Sequence, residues 1–238
     1  MQPVYTKQFQ IPSFAADRFD RLKPSYLLGL AQEVAGDHSA LLGADYQSTG
    51  LYWVVTRLKV QITRLPASGE TITLETWPMP TTRVAFPRST IAYDENGQEV
   101  FRMLSLWVLL DPANRAMVLP GKSGIHIEGT VRGLEPAVPR SLSPQQLEQQ
   151  MLRRVHYTQL DVNGHMNNTR YLDWVEDLLP ADFHRDHPVK EFTVCYLSEA
   201  LEGDEVALHW QLTEEGCLRV DATSSTGEKR VFSAEILL

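Results

Sequence analysis

The segment Asp161-x-Asn163-x-His165-x-Asn167-Asn168-x-x-Tyr171 places three side chains able to polarise a water or a carbonyl within five residues. Asp161 and His165 could move a proton, and Asn163 could donate a hydrogen bond to an oxygen gaining charge. The apolar stripe of Leu172, Val175 and Leu179 that follows predicts a helix over 167–179. The start of that helix would add unpaired N–H groups and a positive dipole end, a cradle for an oxyanion formed during acyl transfer. Asn and Asp also favour turns and helix caps, so a purely structural reading of these residues stays open. A metal site built from Asp161, His165 and His156 lacks any His-x-x-x-His spacing to support it. No cofactor is expected.

The elements that must position this cluster follow from periodicity. A strand-like segment over 155–160 leads into it. Earlier in the chain, Lys23-Pro24 opens a helical pattern that runs towards Leu42-Gly43 through Leu27, Leu30, Ala31, Val34 and Leu41. Gly29 and Gly36 lie on one face of it, where close approach of a sheet would explain them. From Trp53 to Thr63, Leu58, Val60 and Ile62 alternate with Arg57, Lys59 and Gln61, the period of a strand with one wet face. Further strands are expected near 70–77, 86–94 and 99–110, with Asp94-Glu95-Asn96-Gly97 as a hairpin turn. In the second half, Val206, Leu208, Trp210 and Leu212 alternate in the same way, and Ser225-Thr226-Gly227 marks a turn before a strand over 230–238.

The two halves superpose as sequences. Gly69 to Thr76 matches Gly203 to Trp210, and the same shift pairs Leu58 with Phe192 and Val60 with Val194. We read an internal duplication, each copy a long helix followed by an antiparallel sheet that wraps it. The first copy has no histidine or asparagine in Asp20-Arg21-Leu22-Lys23-Pro24 ahead of its helix. One active site per chain is therefore expected, in the second copy. The domains expected are 1–119, a crossing linker over 120–150 with Pro120, Pro136, Pro139 and Pro144, and 151–238.

Composition bounds the function. The 238 residues are 43% apolar and 22% charged, ordinary for a globular chain, and the net charge of −8 argues against a broad grip on nucleic acid or an anionic membrane. The apolar runs are too short to span a bilayer. Two cysteines without metal-type spacing, and an N-terminus without a signal-peptide plan, point to the cytoplasm. Cys195 reads as a small core residue.

Several stretches in order resemble the acyl-acyl-carrier-protein thioesterases of plants and bacteria: Leu51 to Ile62, Gly69 to Trp77, Ser105-Leu106-Trp107-Val108 and Asp161 to Tyr171. The resemblance covers most of the chain except the linker. It implies an α+β fold, the tandem or double hot-dog, with the two copies associating as the subunits of a hot-dog dimer do. It also implies hydrolysis of the thioester between a fatty acyl chain and the phosphopantetheine arm of its carrier protein. By the same resemblance Asp161, Asn163 and His165 match the catalytic cluster, and Glu199 in Tyr196-Leu197-Ser198-Glu199-Ala200 matches the catalytic glutamate. Many plant members have a cysteine after that glutamate. Here Ala200 stands there, which excludes a cysteine nucleophile at that position.

Attack by Asp161 itself and attack by a water that Asp161 or Glu199 activates both remain open on the residues alone. The first copy would supply the acyl tunnel, with Trp53, Trp77, Trp107, Met79 and Met103 as candidates for contact. The partner implied is the acidic acyl carrier protein, which requires a local basic patch. Arg57, Lys59 and Arg64, or Arg83, Arg88 and Arg102, or Arg153 and Arg154 could form one. A hot-dog hydratase or dehydratase and a non-catalytic acyl-thioester sensor are the rival classes. A monomer or a homodimer fits the internal pairing.

Overall fold

The computed structural model describes residues 3–238. The chain divides into two compact units, Met1–Pro139 and Arg140–Leu238. The linker expected over 120–150 is shared between them. Residues through Pro139 go with the first unit, and those from Arg140 go with the second.

In the first unit, β1 (Tyr5–Gln10) is followed by α1 (Pro24–Leu41), a single turn α2 (Tyr46–Thr49), β2 (Tyr52–Ile62), β3 (Thr71–Pro78), β4 (Phe86–Tyr93), β5 (Glu99–Leu110) and the short β6 (Met117–Val118). Pairing is antiparallel in the order β1-β3-β4-β5-β2, with β6 on the end of β5. Pro24 stands in the first turn of α1, where its missing N–H costs nothing. The helix buries Leu27, Leu28, Ala31, Val34 and Ala35 against the sheet. The two glycines of α1 do not mark close packing, as their spacing suggested. Both are exposed, and a Cβ built on either meets nothing within 4 Å.

The second unit repeats this plan. It contains β7 (Gln149–Arg154), α3 (Arg170–Glu176), α4 (Ala181–Asp186), β8 (Glu191–Tyr196), β9 (Glu205–Leu212), β10 (Cys217–Ser224) and β11 (Arg230–Leu237). The antiparallel order β7-β9-β10-β11-β8 is the order of the first unit, strand for strand. The segment over 155–160 is not a strand. Tyr157–Gln159 form a 3-10 turn, and the strand lies earlier, at β7. The helix is also shorter than 167–179. Asn167 accepts from the Thr169 N–H at 2.9 Å and ends the preceding loop, so helical geometry begins only at Arg170. Among the described residues no helix is long and apolar enough to cross a membrane.

After β6 the chain runs back as a strap along the first unit. The Thr130 N–H donates to the Pro78 carbonyl at 2.8 Å, Arg132 pairs with Glu75 at 2.6 Å, and the Trp77 indole N–H donates to Glu135 at 3.1 Å. Gly129 permits this approach. A Cβ there would lie 2.2 Å from the Pro80 nitrogen. Gly129→Val should lift the strap, destabilise the protein by about 1–3 kcal/mol and expose 119–139 to proteolysis. Thermal melting and limited digestion would register both effects, and parental values would show that the strap tolerates a side chain there.

Candidate active site

The cluster of the second unit is built by backbone bonds before any side-chain chemistry. Asp161 and His165 close a tight loop: the Asp161 N–H donates to the His165 carbonyl at 2.8 Å, and the Gly164 N–H donates to the Asp161 carbonyl at 3.0 Å. Gly164 has φ +78°, a left-handed conformation that glycine adopts without strain. The Asp161 carboxylate organises the same loop from inside. Its Oδ1 accepts the N–H groups of Asn163 at 2.8 Å and His165 at 3.3 Å.

His165 and Met166 then pair with the chain just beyond β8. His165 bridges to Leu201, and the Met166 N–H donates to the Ala200 carbonyl at 2.9 Å. This pairing brings His165 Nε2 to 3.7 Å from Glu199 Oε2. The imidazole is largely covered, with 14% of its side chain exposed, whereas Glu199 keeps 37%. At 3.7 Å the two make an ion pair when His165 is protonated, without the geometry of a direct hydrogen bond. Asn163 is exposed at the loop tip.

Beneath the loop lies an aromatic floor. Tyr171 packs against Trp174, Tyr196 and Phe232, and the Tyr196 hydroxyl donates to the Asn168 carbonyl at 3.0 Å. Burial pushes the Tyr171 hydroxyl far above the ordinary phenol range, and the carboxylates of Asp204, Glu199 and Asp161 push it the same way. Three carboxylates therefore act on one buried phenol that stays protonated. Asp204 was not singled out from sequence. Its Oδ2 accepts the Leu201 N–H at 2.9 Å, which fixes the segment that carries Glu199. The helix start expected to cradle an oxyanion is largely committed: the Thr169 N–H goes to the Asn167 side chain and the Arg170 N–H to the Asn167 carbonyl.

The first unit holds a matching loop. Asp17 Oδ1 accepts the N–H groups of Phe19 at 2.8 Å and Arg21 at 3.0 Å, and the Asp17 N–H donates to the Arg21 carbonyl. Ala16 bridges to Leu22, as Leu160 does to Met166, and the Leu22 N–H donates to the Pro66 carbonyl, as Met166 does to Ala200. Phe19, Arg21 and Leu65 therefore stand at the positions of Asn163, His165 and Glu199. Asp161 alone has an identical counterpart, Asp17, a residue the sequence reading passed over in favour of Asp20.

A cavity of about 230 Å³ opens in the first unit beside α1. Trp53, Met79 and Trp107 line it, three of the five residues expected to meet an acyl chain. Trp77 and Met103 are instead buried in the core. The indole N–H groups of Trp53 and Trp107 bond to the Ala44 carbonyl and the Ser105 hydroxyl. Gly36 and Ile127 of the strap complete the apolar wall.

Of the basic candidates for docking a carrier protein, Arg88 is buried and cannot form a surface patch. Arg64 pairs with Glu70 and Asp94, Arg102 with Glu99, and Arg153 with Asp177. Arg83 and Arg154 are exposed.

Two copies of one helix-and-sheet unit, with a polar loop elaborated in the second, define a tandem hot-dog protein. The comparisons with known proteins carry this to a family. Residues 2–119 match the acyl-ACP thioesterase N-terminal domain and residues 143–236 the acyl-ACP thioesterase C-terminal domain. The chain belongs to the acyl-ACP thioesterase family. The solved acyl-ACP thioesterase of Bacteroides thetaiotaomicron superposes with a TM-score of 0.86 over 99% of this chain and 97% of its own, at 23% identity. The 12:0-ACP thioesterase of Umbellularia californica superposes with a TM-score of 0.83 at 21% identity, covering 100% and 97%. The chloroplastic palmitoyl-acyl carrier protein thioesterase of Gossypium hirsutum is 25% identical over 82% of this chain and 52% of its own length. The chain spans about half to two thirds of the length of such curated relatives, 52% in that case and 68% for an oleoyl-acyl carrier protein thioesterase of Arabidopsis thaliana.

Because Asp161 holds the loop as well as standing in the cluster, its loss has two effects that must be separated. Asp161→Ala removes the acceptor of two N–H groups and should cost about 1 kcal/mol or more of stability. Asp161→Asn keeps an oxygen in place and should melt close to the parent. Equal melting of both variants would deny Asp161 the loop-forming role and leave its carboxylate to chemistry alone.

Proposed function

We propose that this protein hydrolyses fatty acyl-acyl carrier protein to a free fatty acid and the carrier's thiol, and that Asp161, Asn163, His165 and Glu199 form its catalytic cluster. The observation that carries this is the approach of His165 to Glu199 at 3.7 Å beside the Asp161 loop, in a chain of the acyl-ACP thioesterase family. The first unit supports the reading by contrast. It has the same loop, with Phe19, Arg21 and Leu65 where the polar groups would be.

The chemistry follows from the groups present. Glu199 takes a proton from a water, whose oxygen bonds to the thioester carbon. The protonated His165 returns a proton to the sulfur as the carbon–sulfur bond breaks. Glu199 then passes its proton to His165, restoring the pair. The Asn163 amide donates to the oxyanion, and the Asp161 carboxylate holds Asn163 by its backbone N–H.

Glu199→Gln and His165→Ala should each lower kcat by about 10²–10⁴ with unchanged folding. Thiol release from acyl carrier protein measures this, with enoyl formation followed in parallel. Parental turnover in either variant would remove that residue from the cluster, and an enoyl product would replace hydrolysis with dehydration.

The cavity beside α1 receives the acyl chain in this reading. Gly36 lines it and has open space beyond its Cα. Gly36→Leu should fill part of the cavity and shift preference to shorter chains, each lost methylene contact being worth roughly 0.8 kcal/mol. A kcat/KM profile across chain lengths that does not move would remove the cavity from the substrate path. Cys195 and Cys217 form no disulfide, which suits the cytoplasmic setting we infer for the reaction.

A further inference from the structure

Arg88 is the least expected residue of the cavity wall. It is 8% exposed, it lies on β4, and it borders a space lined mainly by apolar side chains, with Gln32, Ser39 and Thr81 as the other polar members. A guanidinium carries its charge at every physiological pH, and a buried charge is costly unless an opposite charge or a full set of acceptors meets it. Arg88 has two hydrogen-bonding neighbours, both neutral acceptors. Its Nη1 donates to His38 Nδ1 at 3.2 Å and to Thr76 Oγ1 at 3.3 Å. An arginine can only donate, so His38 accepts through Nδ1 and, when neutral, carries its proton on Nε2. Thr76 is itself held by the Ser89 carbonyl at 2.9 Å and the Thr90 hydroxyl at 3.0 Å, which fixes its lone pairs towards donors.

Both bonds use one nitrogen of a fork that has five N–H donors. Burial lowers the pKa of Arg88 to about 10, and burial alone acts on it. No carboxylate among the described residues offsets its charge. The structure thus sets a buried, charged guanidinium on the wall of a mostly apolar cavity.

We propose that this cavity takes an acyl group bearing an oxygen acceptor, as a hydroxyl, oxo or carboxylate oxygen, and that Arg88 binds that oxygen. The inference rests on the reading of the cavity as the acyl site. It deepens that reading by naming the chemical class of chain. A methyl or methylene group opposite Arg88 would leave the donors facing hydrocarbon, whereas an oxygen satisfies them. Sites built around a buried donor discriminate strongly against ligands that lack the acceptor.

The test uses the full chain and four carrier-protein thioesters of one chain length: decanoyl, 3-hydroxydecanoyl, 3-oxodecanoyl and the carboxyl-ended decanedioyl. At least one oxygen-bearing member should exceed decanoyl in kcat/KM by about tenfold or more, the scale of a hydrogen bond to a charged group. Which member it is locates the oxygen that Arg88 meets. In Arg88→Met that ratio should fall towards one, and in Arg88→Lys it should be partly kept. Preference of the parent protein for decanoyl over all three others would overturn the inference without touching hydrolysis. So would an equal change for all four substrates in Arg88→Met, which would mean that Arg88 serves the thioester carbonyl or the fold. If Arg88→Met does not fold, the parent ratios and Arg88→Lys still decide the matter. If no member of the panel releases thiol, the thioesterase reading fails and this inference falls with it.

Discussion

The separation of His165 from Glu199 is not set by the two side chains. It is set by a short stretch of backbone pairing, His165 against Leu201 and Met166 against Ala200, between a loop and the chain leaving β8. Two residues more than thirty positions apart come within 3.7 Å because the peptide groups beside them are already hydrogen-bonded. The loop is held on one side by the Asp161 carboxylate, and the opposing segment is held by Asp204 on the other. Backbone anchoring of this kind positions a pair of side chains more rigidly than long side chains could alone.

The duplicate loop separates architecture from chemistry within one molecule. Asp17 and Asp161 make the same pair of N–H bonds, so an aspartate at that position is what the turn requires wherever it occurs. The residues that differ are the ones whose side chains leave the loop. Phe19 and Arg21 replace a short amide and an imidazole, and Leu65 replaces a carboxylate. The turn closing onto the next strand repeats as well: Glu70 accepts the Ala67 N–H at 2.8 Å, as Asp204 accepts that of Leu201 at 2.9 Å. An acidic residue in this fold is therefore a weak sign of reactivity until its backbone duties are known.

Much of the first unit was legible in sequence because its strands bury one face and wet the other. The ends of β2 to β5 fall within about two residues of the expected positions, the usual uncertainty of such boundaries. The second unit was harder for physical reasons. β7 reads Gln-Gln-Met-Leu-Arg-Arg and has no clean alternation, so the strand was expected a few residues late, at 155–160, and Gln149 and Gln150 fell in the expected linker. The helix over 167–179 was overextended because its apolar stripe continues to Leu179, while Asn167 and Pro180 break helical geometry at either end. Asp161, Asn163 and His165 stood out by their spacing. Glu199 came only through family resemblance, since the pairing that brings it to His165 is non-local. Asp204 and Asp17 carry no distinguishing spacing in sequence, and both serve to hold backbone N–H groups. Arg88 was counted as surface charge because its strand neighbours Pro87, Ser89 and Thr90 are not strongly apolar, although the strand is buried from Phe86 to Ala92.

The strap from β6 to Pro139 serves two ends at once. It forms part of the wall of the cavity through Ile127, and it is also the stretch of chain by which the first unit continues into the second. With Gly129 seated on the backbone of Met79 and Pro80, its length over the cavity is fixed between anchor points. Insertions or deletions between those anchors would remodel the cavity wall. The cavity wall and the polar loop are thus encoded in separate stretches of the same polypeptide.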